Sequence, residues 1–323
     1  MIIVRTPLRI SFVGGGTDFE NFYRKYPGRV LSTSIDKYIY VGLNPKFDGN
    51  IRVSYSETED VKYRSEIKHP LARFALEETG IEKGIEITSV GDIPGKGTGL
   101  GSSSSFTVGL LQGLHSFLGE YIAPDALAEK ACKIEIEKAG SPIGKQDQYA
   151  ATFGGLNVIT FNCDGKIDVE PIYLAPKIKE DFQNHLMLFY TGVQRSANPI
   201  LTEQRDNIDK KYDFLKKLSD LVPVFRNSLE KGDFKKLGEL LHQNWLWKKE
   251  LSSGIANSQI DEMYNQALSA GAFGGKILGA GGGGFLLVMA PPENQAKIKE
   301  TLKQYQLTPF RFTEAGSKIV FKS

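Results

Sequence analysis

The run Pro94-Gly95-Lys96-Gly97-Thr98-Gly99-Leu100-Gly101-Ser102-Ser103-Ser104-Ser105 passes without a break into the apolar stretch Phe106–Leu118. Closely spaced glycines let a backbone turn tightly and approach a ligand. A helix that starts directly behind them presents unpaired N–H groups and the positive end of its dipole, a combination suited to phosphate. The serines stand where they can cap that helix start. Phe106, Leu110, Leu114 and Phe117 recur at helical spacing, so one face of the helix is expected to be buried. No Gly-Lys-Ser/Thr triplet closes the loop, which excludes a Walker A site, and the spacing is not the dinucleotide fingerprint.

At 323 residues the chain is long enough for two domains. Its net charge of +2 carries no global signal for nucleic acid. The N-terminus lacks the apolar core of a signal peptide, and no segment approaches the ~20 apolar residues of a membrane span. Cys132 and Cys163 form no metal spacing and no disulfide framework, which points to a reducing cytoplasm. The four histidines make no paired motif, which argues against a transition-metal site and a His-based triad.

The first half reads as short strands, Leu8–Val13, Val30–Ile35, Tyr38–Leu43, Ile51–Tyr55 and Ile85–Ser89, with helices over Leu71–Thr79, Phe106–Leu118 and Pro124–Ala139. A hairpin is expected from Leu156–Phe161 and Ile167–Tyr173 around Cys163-Asp164-Gly165. The second half is richer in helix: Pro199–Lys231 with a kink or break at Pro223, then Phe234–Leu251, Gln259–Ala270 and Asn294–Gln304. Strands are expected at Phe285–Ala290, Thr308–Phe312 and Ser317–Phe321. The pattern is α+β, with units 1–176 and 177–323 and the boundary between Tyr173 and His185.

Three further segments carry chemistry. Pro7-Leu-Arg-Ile-Ser-Phe-Val-Gly-Gly-Gly-Thr-Asp18 runs from an apolar strand into a glycine turn, which suits polar contacts to a hydroxyl-rich ligand. Glu135 shares a helix face with Ala128, Ala131, Cys132 and Ala139. A carboxylate on such a stripe is expected to be buried and to need a partner, a metal or an arginine. Glu137 falls with Lys130 and Lys133 on a solvated face. Gly274-Gly-Lys-Ile-Leu-Gly-Ala-Gly-Gly-Gly-Gly284 leads into an apolar strand, so the backbone there is expected to meet something closely.

Taken in chain order, Pro7 to Asp18, Pro94 to Ser103 and Gly274 to Gly284 resemble the three motifs of the GHMP kinases, the family of galactokinase, homoserine kinase, mevalonate kinase and phosphomevalonate kinase. The resemblance covers the whole chain. It implies a ribosomal-protein-S5-like N-terminal α/β domain, a ferredoxin-like C-terminal α+β domain, and ATP with Mg2+ as cofactors. It also implies roles. Gly97, Gly99, Leu100, Gly101, Ser102, Ser103 and Ser104 would cradle the ATP phosphates. Ser103, with Ser102 as the alternative hydroxyl, and Glu135 would hold Mg2+. Asp147, in Gly140-Ser-Pro-Ile-Gly-Lys-Gln-Asp-Gln148, would take the proton from the attacking hydroxyl, and Arg9 would hold Asp147 ionised. Gly15, Gly16, Thr17, Asp18, Gly281 and Gly282 would face the substrate.

Galactokinase has Gly-Glu-His-Thr-Asp where this chain has Gly14-Gly-Gly-Thr-Asp18, a loss of polar groups that disfavours galactose and leaves room for a larger sugar. The motifs look most like those of D-glycero-D-manno-heptose 7-phosphate kinases, which act on the anomeric hydroxyl in making bacterial surface-glycan heptose. Such a substrate needs a second anion pocket. Arg195 is the first choice for it, with Lys145 and Arg29 behind, and Lys145 is also a candidate substrate contact. Other readings are an L-fucokinase-like sugar-1-kinase and a non-catalytic sugar sensor on the same fold. An isoprenoid-precursor kinase is disfavoured by the Arg9/Asp18 spacing. The expected partners are small molecules, with no nucleic acid and no membrane, a homodimer being the assembly kept open.

Overall fold

The computed structural model describes residues 1–94 and 97–323; Gly95 and Lys96 of the glycine-rich run lie outside the described residues. Seven strands build most of the first sheet: β1 (Ile2–Val13), β2 (Gly28–Pro45), β3 (Ile51–Ser54), β4 (Thr58–Val61), β5 (Ile85–Gly91), β6 (Leu156–Phe161) and β7 (Ile167–Pro171). The long β2 pairs with β1 along nearly its whole length. On its other edge it meets β6 through Gly28–Thr33 and β5 through Ile39–Pro45. A second, four-stranded antiparallel sheet has the order β11 (Gln306–Leu307), β8 (Leu186–Tyr190), β10 (Phe285–Met289), β9 (Gly274–Ile277). The last strand, β12 (Lys318–Lys322), returns to the first sheet and pairs with β1. The architecture is mixed α and β, as expected.

The two sheets share packed contacts. Phe12 at the end of β1 lies 5.1 Å from Phe182 and 5.9 Å from Phe225, ring centroid to centroid. Burying three aromatic rings at one junction packs the end of β1 against the helices Pro176–Asn184 and Tyr212–Glu230. Lys276 on β9 adds a polar clamp there, donating to the Ser11 and Phe12 carbonyls at 3.0 and 2.9 Å.

Several expected elements differ in detail. The helix over Pro124–Ala139 is α-helical only to Cys132 and widens into a π turn over Lys133–Lys138, which carries Glu135. Such a widening is a local departure that recurs at functional sites. Pro223 does not end the helix Tyr212–Glu230; the break falls earlier, between Asp206 and Tyr212. The buried stripe of Leu215, Leu218, Val222, Phe225 and Leu229 holds that helix together across the donor that proline lacks. The segment Thr308–Phe312 is not a strand. It keeps one isolated bridge, Phe312 to Ile35. The helices Gln146–Phe153 and Pro176–Asn184 carry no long apolar period and were not expected. Gly274–Ile277, expected as part of a loop, is a fully buried strand.

Candidate active site

One cleft lies where the ends of the two sheets meet. Its walls are the turn after β1, the glycine loop with the first turn of the helix Ser102–Phe117, the segment around Asp147, the start of the helix Asn198–Asp206, and the loop between β9 and β10.

The turn after β1 is shaped by contacts only glycine allows. At Gly14, φ is +88° and a Cβ would lie 1.9 Å from the Arg29 carbonyl oxygen. The Thr17 hydroxyl closes the turn by donating to the Gly14 carbonyl at 2.8 Å. Asp18, 2 % exposed, is thereby held at the cleft. It accepts from the backbone N–H of Gly16 at 3.2 Å and of Gln146 at 3.1 Å. Burial pushes its carboxyl above the ordinary range, and the nearby Asp147 adds to the push, while the N–H bonds pull the other way. A Cβ on Gly144 would lie 2.1 Å from Asp18 Oδ2 and 2.8 Å from its carbonyl carbon, so the turn itself would have to move. Gly144→Ala is therefore expected to raise KM for the acceptor about 10-fold or more with KM for ATP unchanged. Steady-state kinetics with each substrate varied in turn checks this.

Arg9 meets Asp147 as a two-pronged pair, Nε to Oδ1 and Nη2 to Oδ2, both 2.8 Å. Its third donor, Nη1, reaches the Gly99 carbonyl at 2.6 Å, and its backbone N–H bonds to Leu100 O at 3.0 Å. One arginine thus locks the Asp147 carboxylate to the glycine loop. Each Asp147 oxygen keeps a second lone pair, and the carboxylate lines the cleft.

The helix Ser102–Phe117 begins after Gly101, whose φ is +79°, and no side chain caps it. The serines, which the sequence placed to cap this helix start, do not cap it. Instead the hydroxyls of Ser103 and Ser104 donate to Glu135 at 2.5 and 2.7 Å. The first-turn N–H groups stay available for an anion. Glu135 is fully buried, with a third bond from Gln148 Nε2 at 2.5 Å, whereas Glu137 is exposed. Burial raises the Glu135 carboxyl above its usual range, against the pull of these three donors. The arginine partner that burial alone allowed is absent among the described residues, which leaves two hydroxyls and one amide N–H around the carboxylate.

Gly97, Gly99, Gly101, Ser102, Ser103 and Ser104 all line the cleft, as do Gly15, Gly16, Asp18, Arg195 and Gly281. Leu100 and Gly282 are buried beside it. Lys145 lies elsewhere: its ammonium pairs with Glu129 at 2.8 Å, and it does not line the cleft. Arg29 turns to Ser219 and Asp220, at 3.4 and 3.7 Å. Arg195 is exposed, has no carboxylate partner among the described residues, and packs its backbone against Gly97.

Two charged cleft residues were given no role from sequence, Lys248 and Lys276, 5 % and 1 % exposed. Lys248 follows Leu237, Leu241 and Trp245 on the buried stripe of its helix, so a lysine on an apolar face was the available signal. Three buried polar atoms in the cleft wall have no partner among the described residues: Ser11 Oγ, Gln146 Oε1 and Gln204 Nε2. Such orphans are costly unless a polar ligand satisfies them.

Two family profiles match the chain, the GHMP kinases N terminal domain over residues 66–155 and the GHMP kinases C terminal over residues 225–306. A D-glycero-alpha-D-manno-heptose 7-phosphate kinase of Campylobacter jejuni is 29% identical over 333 residues, covering 98% of both chains. A galactokinase of Pyrococcus furiosus is 26% identical over 96% of this chain and 94% of its own. The solved structure of a D-glycero-D-manno-heptose 1-phosphate kinase from Bacteroides thetaiotaomicron shares the fold, with a TM-score of 0.84 at 23% identity and full coverage of both chains. Both halves of the fold are matched by one family in the expected order, and the chain belongs to the GHMP kinases, ATP-dependent phosphotransferases with an alcohol group as acceptor.

Proposed function

We propose that this kinase phosphorylates the anomeric hydroxyl of D-glycero-D-manno-heptose 7-phosphate, giving the 1,7-bisphosphate for bacterial surface-glycan heptose. The observation that carries the chemistry is the two-pronged Arg9–Asp147 pair anchored to the glycine loop. The heptose reading is supported by the full-length likeness to the Campylobacter jejuni enzyme. The orphan polar atoms of Ser11, Gln146 and Gln204 suit a ligand rich in hydroxyls.

Phosphoryl transfer asks the protein mainly for position and charge. In this reading ATP lays its phosphates along Gly97–Ser104, on the N–H groups at the helix start. Asp18, Gly15 and Gly16 hold the sugar from the turn, and the Gly281–Gly282 backbone closes over it; Thr17, expected at the substrate, is fully buried and spends its hydroxyl on the Gly14 and Arg29 carbonyls, so it shapes the turn instead. Asp147 accepts the proton of the anomeric hydroxyl as its oxygen bonds to the γ-phosphorus and the bond to ADP breaks. Arg9 keeps Asp147 oriented through its two-pronged bond. Glu135 and Ser103 offer oxygen donors only, and a single carboxylate completed by substrate phosphates is how a hard Mg2+ ion is commonly held. There the ion would neutralise phosphate charge.

Arg195 is assigned to the sugar's own phosphate, as an exposed guanidinium facing the cleft. Lys145 is given no substrate contact, because its ammonium pairs with Glu129 away from the cleft. The units are divided at 176/177, and the need for ATP puts the reaction in the cytoplasm. The test is turnover with ATP and Mg2+ on heptose 7-phosphate, L-fucose, D-galactose and mevalonate in parallel. A strong preference for the heptose phosphate with phosphate appearing at the anomeric oxygen is the expected result. Preference for an unphosphorylated sugar would overturn the substrate and the role of Arg195.

A further inference from the structure

Lys248 has a buried ammonium on a mostly apolar helix stripe, one turn after the buried Asn244, and it lines the cleft. An ammonium carries three donors. Among the described residues only one acceptor is supplied, the Gly279 carbonyl. Lys276 is the contrast, with two carbonyl partners and a clamp between β9 and β1. A buried cation with unspent N–H groups beside an open cleft is built for a ligand oxygen.

Its charged neighbours say which side of the cleft it serves. They are Arg9, Asp18 and Asp147, with Lys276 behind. Glu135, on the side given to metal and ATP, is not among them. Asp18 and Asp147 can only accept protons from a sugar hydroxyl when ionised, so a donor among them complements the same ligand. Burial and the charge of Arg9 pull the Lys248 ammonium down to about 8, which leaves it mostly charged at neutral pH.

We propose that Lys248 is an acceptor-recognition residue whose ammonium donates to a sugar oxygen next to the reacting hydroxyl. The proposal rests on the reading that the cleft takes a sugar.

The test is arranged so that the two can fail separately. Wild-type enzyme is first run on the four acceptors above, and the one it phosphorylates best becomes the probe for the variants. Failure of the substrate reading shows in the wild-type panel. For Lys248→Met, KM for that acceptor should rise about 10- to 100-fold, the range for a hydrogen bond to a charged group, with KM for ATP within about twofold. A purely structural role would read differently. Gly279 packs against Gly99, where an added Cβ would come within 2.4 Å, so loosening the Lys248 bond to Gly279 would reach the ATP loop.

A matched rise in KM for ATP, or a fall in kcat with acceptor KM unchanged, would overturn the proposal. Lys248→Gln keeps a donor for Gly279 without the charge, and serves if the methionine variant folds poorly. In a Cys163→Ser background, Lys248→Cys alkylated with 2-bromoethylamine restores an ammonium one atom type away from lysine. Recovery of acceptor KM is expected, and absence of recovery in a folded protein counts against the contact.

Discussion

Asp147→Asn is expected to lower kcat about 10³-fold, within the range for loss of a general base, while KM for ATP stays within about twofold. The carboxylate is the proton acceptor in the proposed reaction, and asparagine cannot take a proton. The geometry adds a second effect. Arg9 donates to both Asp147 oxygens. An amide offers one oxygen, so one Arg9 N–H would face an N–H and lose its partner in a site where Arg9 is 4 % exposed. A modest loss of thermal stability should accompany the loss of turnover, since a buried donor left unpaired costs about 1–3 kcal/mol. ATP binding should survive, because the Arg9 bond to Gly99 and the first-turn N–H groups of the helix do not involve Asp147. Single-turnover kinetics and equilibrium binding of a non-hydrolysable ATP analogue separate these terms. Substantial residual turnover with intact binding would remove Asp147 from the base role and with it the central assignment of the mechanism.

Much of the site could be read before the fold because its determinants are local. A glycine run followed at once by an apolar helix has few other uses, and the cleft does form at that junction. Glu135 was separable from Glu137 by helix face alone, and the two do differ in burial. That separation survived the widening into a π turn because the stripe of small residues precedes it. The residues that escaped are those whose meaning depends on distant partners. Lys248 matters because its helix packs its buried face toward β9 and Gly279, about thirty positions later. Lys145 illustrates the converse. It is adjacent in sequence to Gln146 and Asp147, yet its helix N-cap position sends the ammonium to Glu129. Pro223 failed as a breaker because helix propensity is a weak term beside a stripe of five buried apolar side chains.

Glu135→Gln is expected to separate activity from stability. Burial raises the Glu135 carboxyl above its ordinary range. The folded state therefore holds the proton more tightly than the unfolded chain. Its contribution to stability is fully present below the unfolded carboxylate range and is lost as pH rises through the higher folded value. Glutamine carries no charge at any pH. In metal-free buffer the variant should therefore gain stability over wild type as pH rises toward neutrality, and the difference should vanish in acid. Each kcal/mol gained would raise Tm by about 1.5 °C at this chain length. The hydrogen bonds can be rebuilt, because Ser103 and Ser104 can donate or accept. Turning over the Gln148 amide would also use its Oε1, which has no partner among the described residues. Turnover should move the other way. Removing the carboxylate proposed to hold Mg2+ should cost about 10²-fold in kcat, a few kcal/mol of charge stabilisation, and raise the Mg2+ concentration needed for half-maximal rate. Scanning calorimetry across pH without metal, set beside a Mg2+ titration of the rate, reads both. A variant as active as wild type at low Mg2+ would leave Glu135 as a buried carboxylate tying the glycine-loop helix to its neighbour, and the metal would have to be sought elsewhere in the cleft.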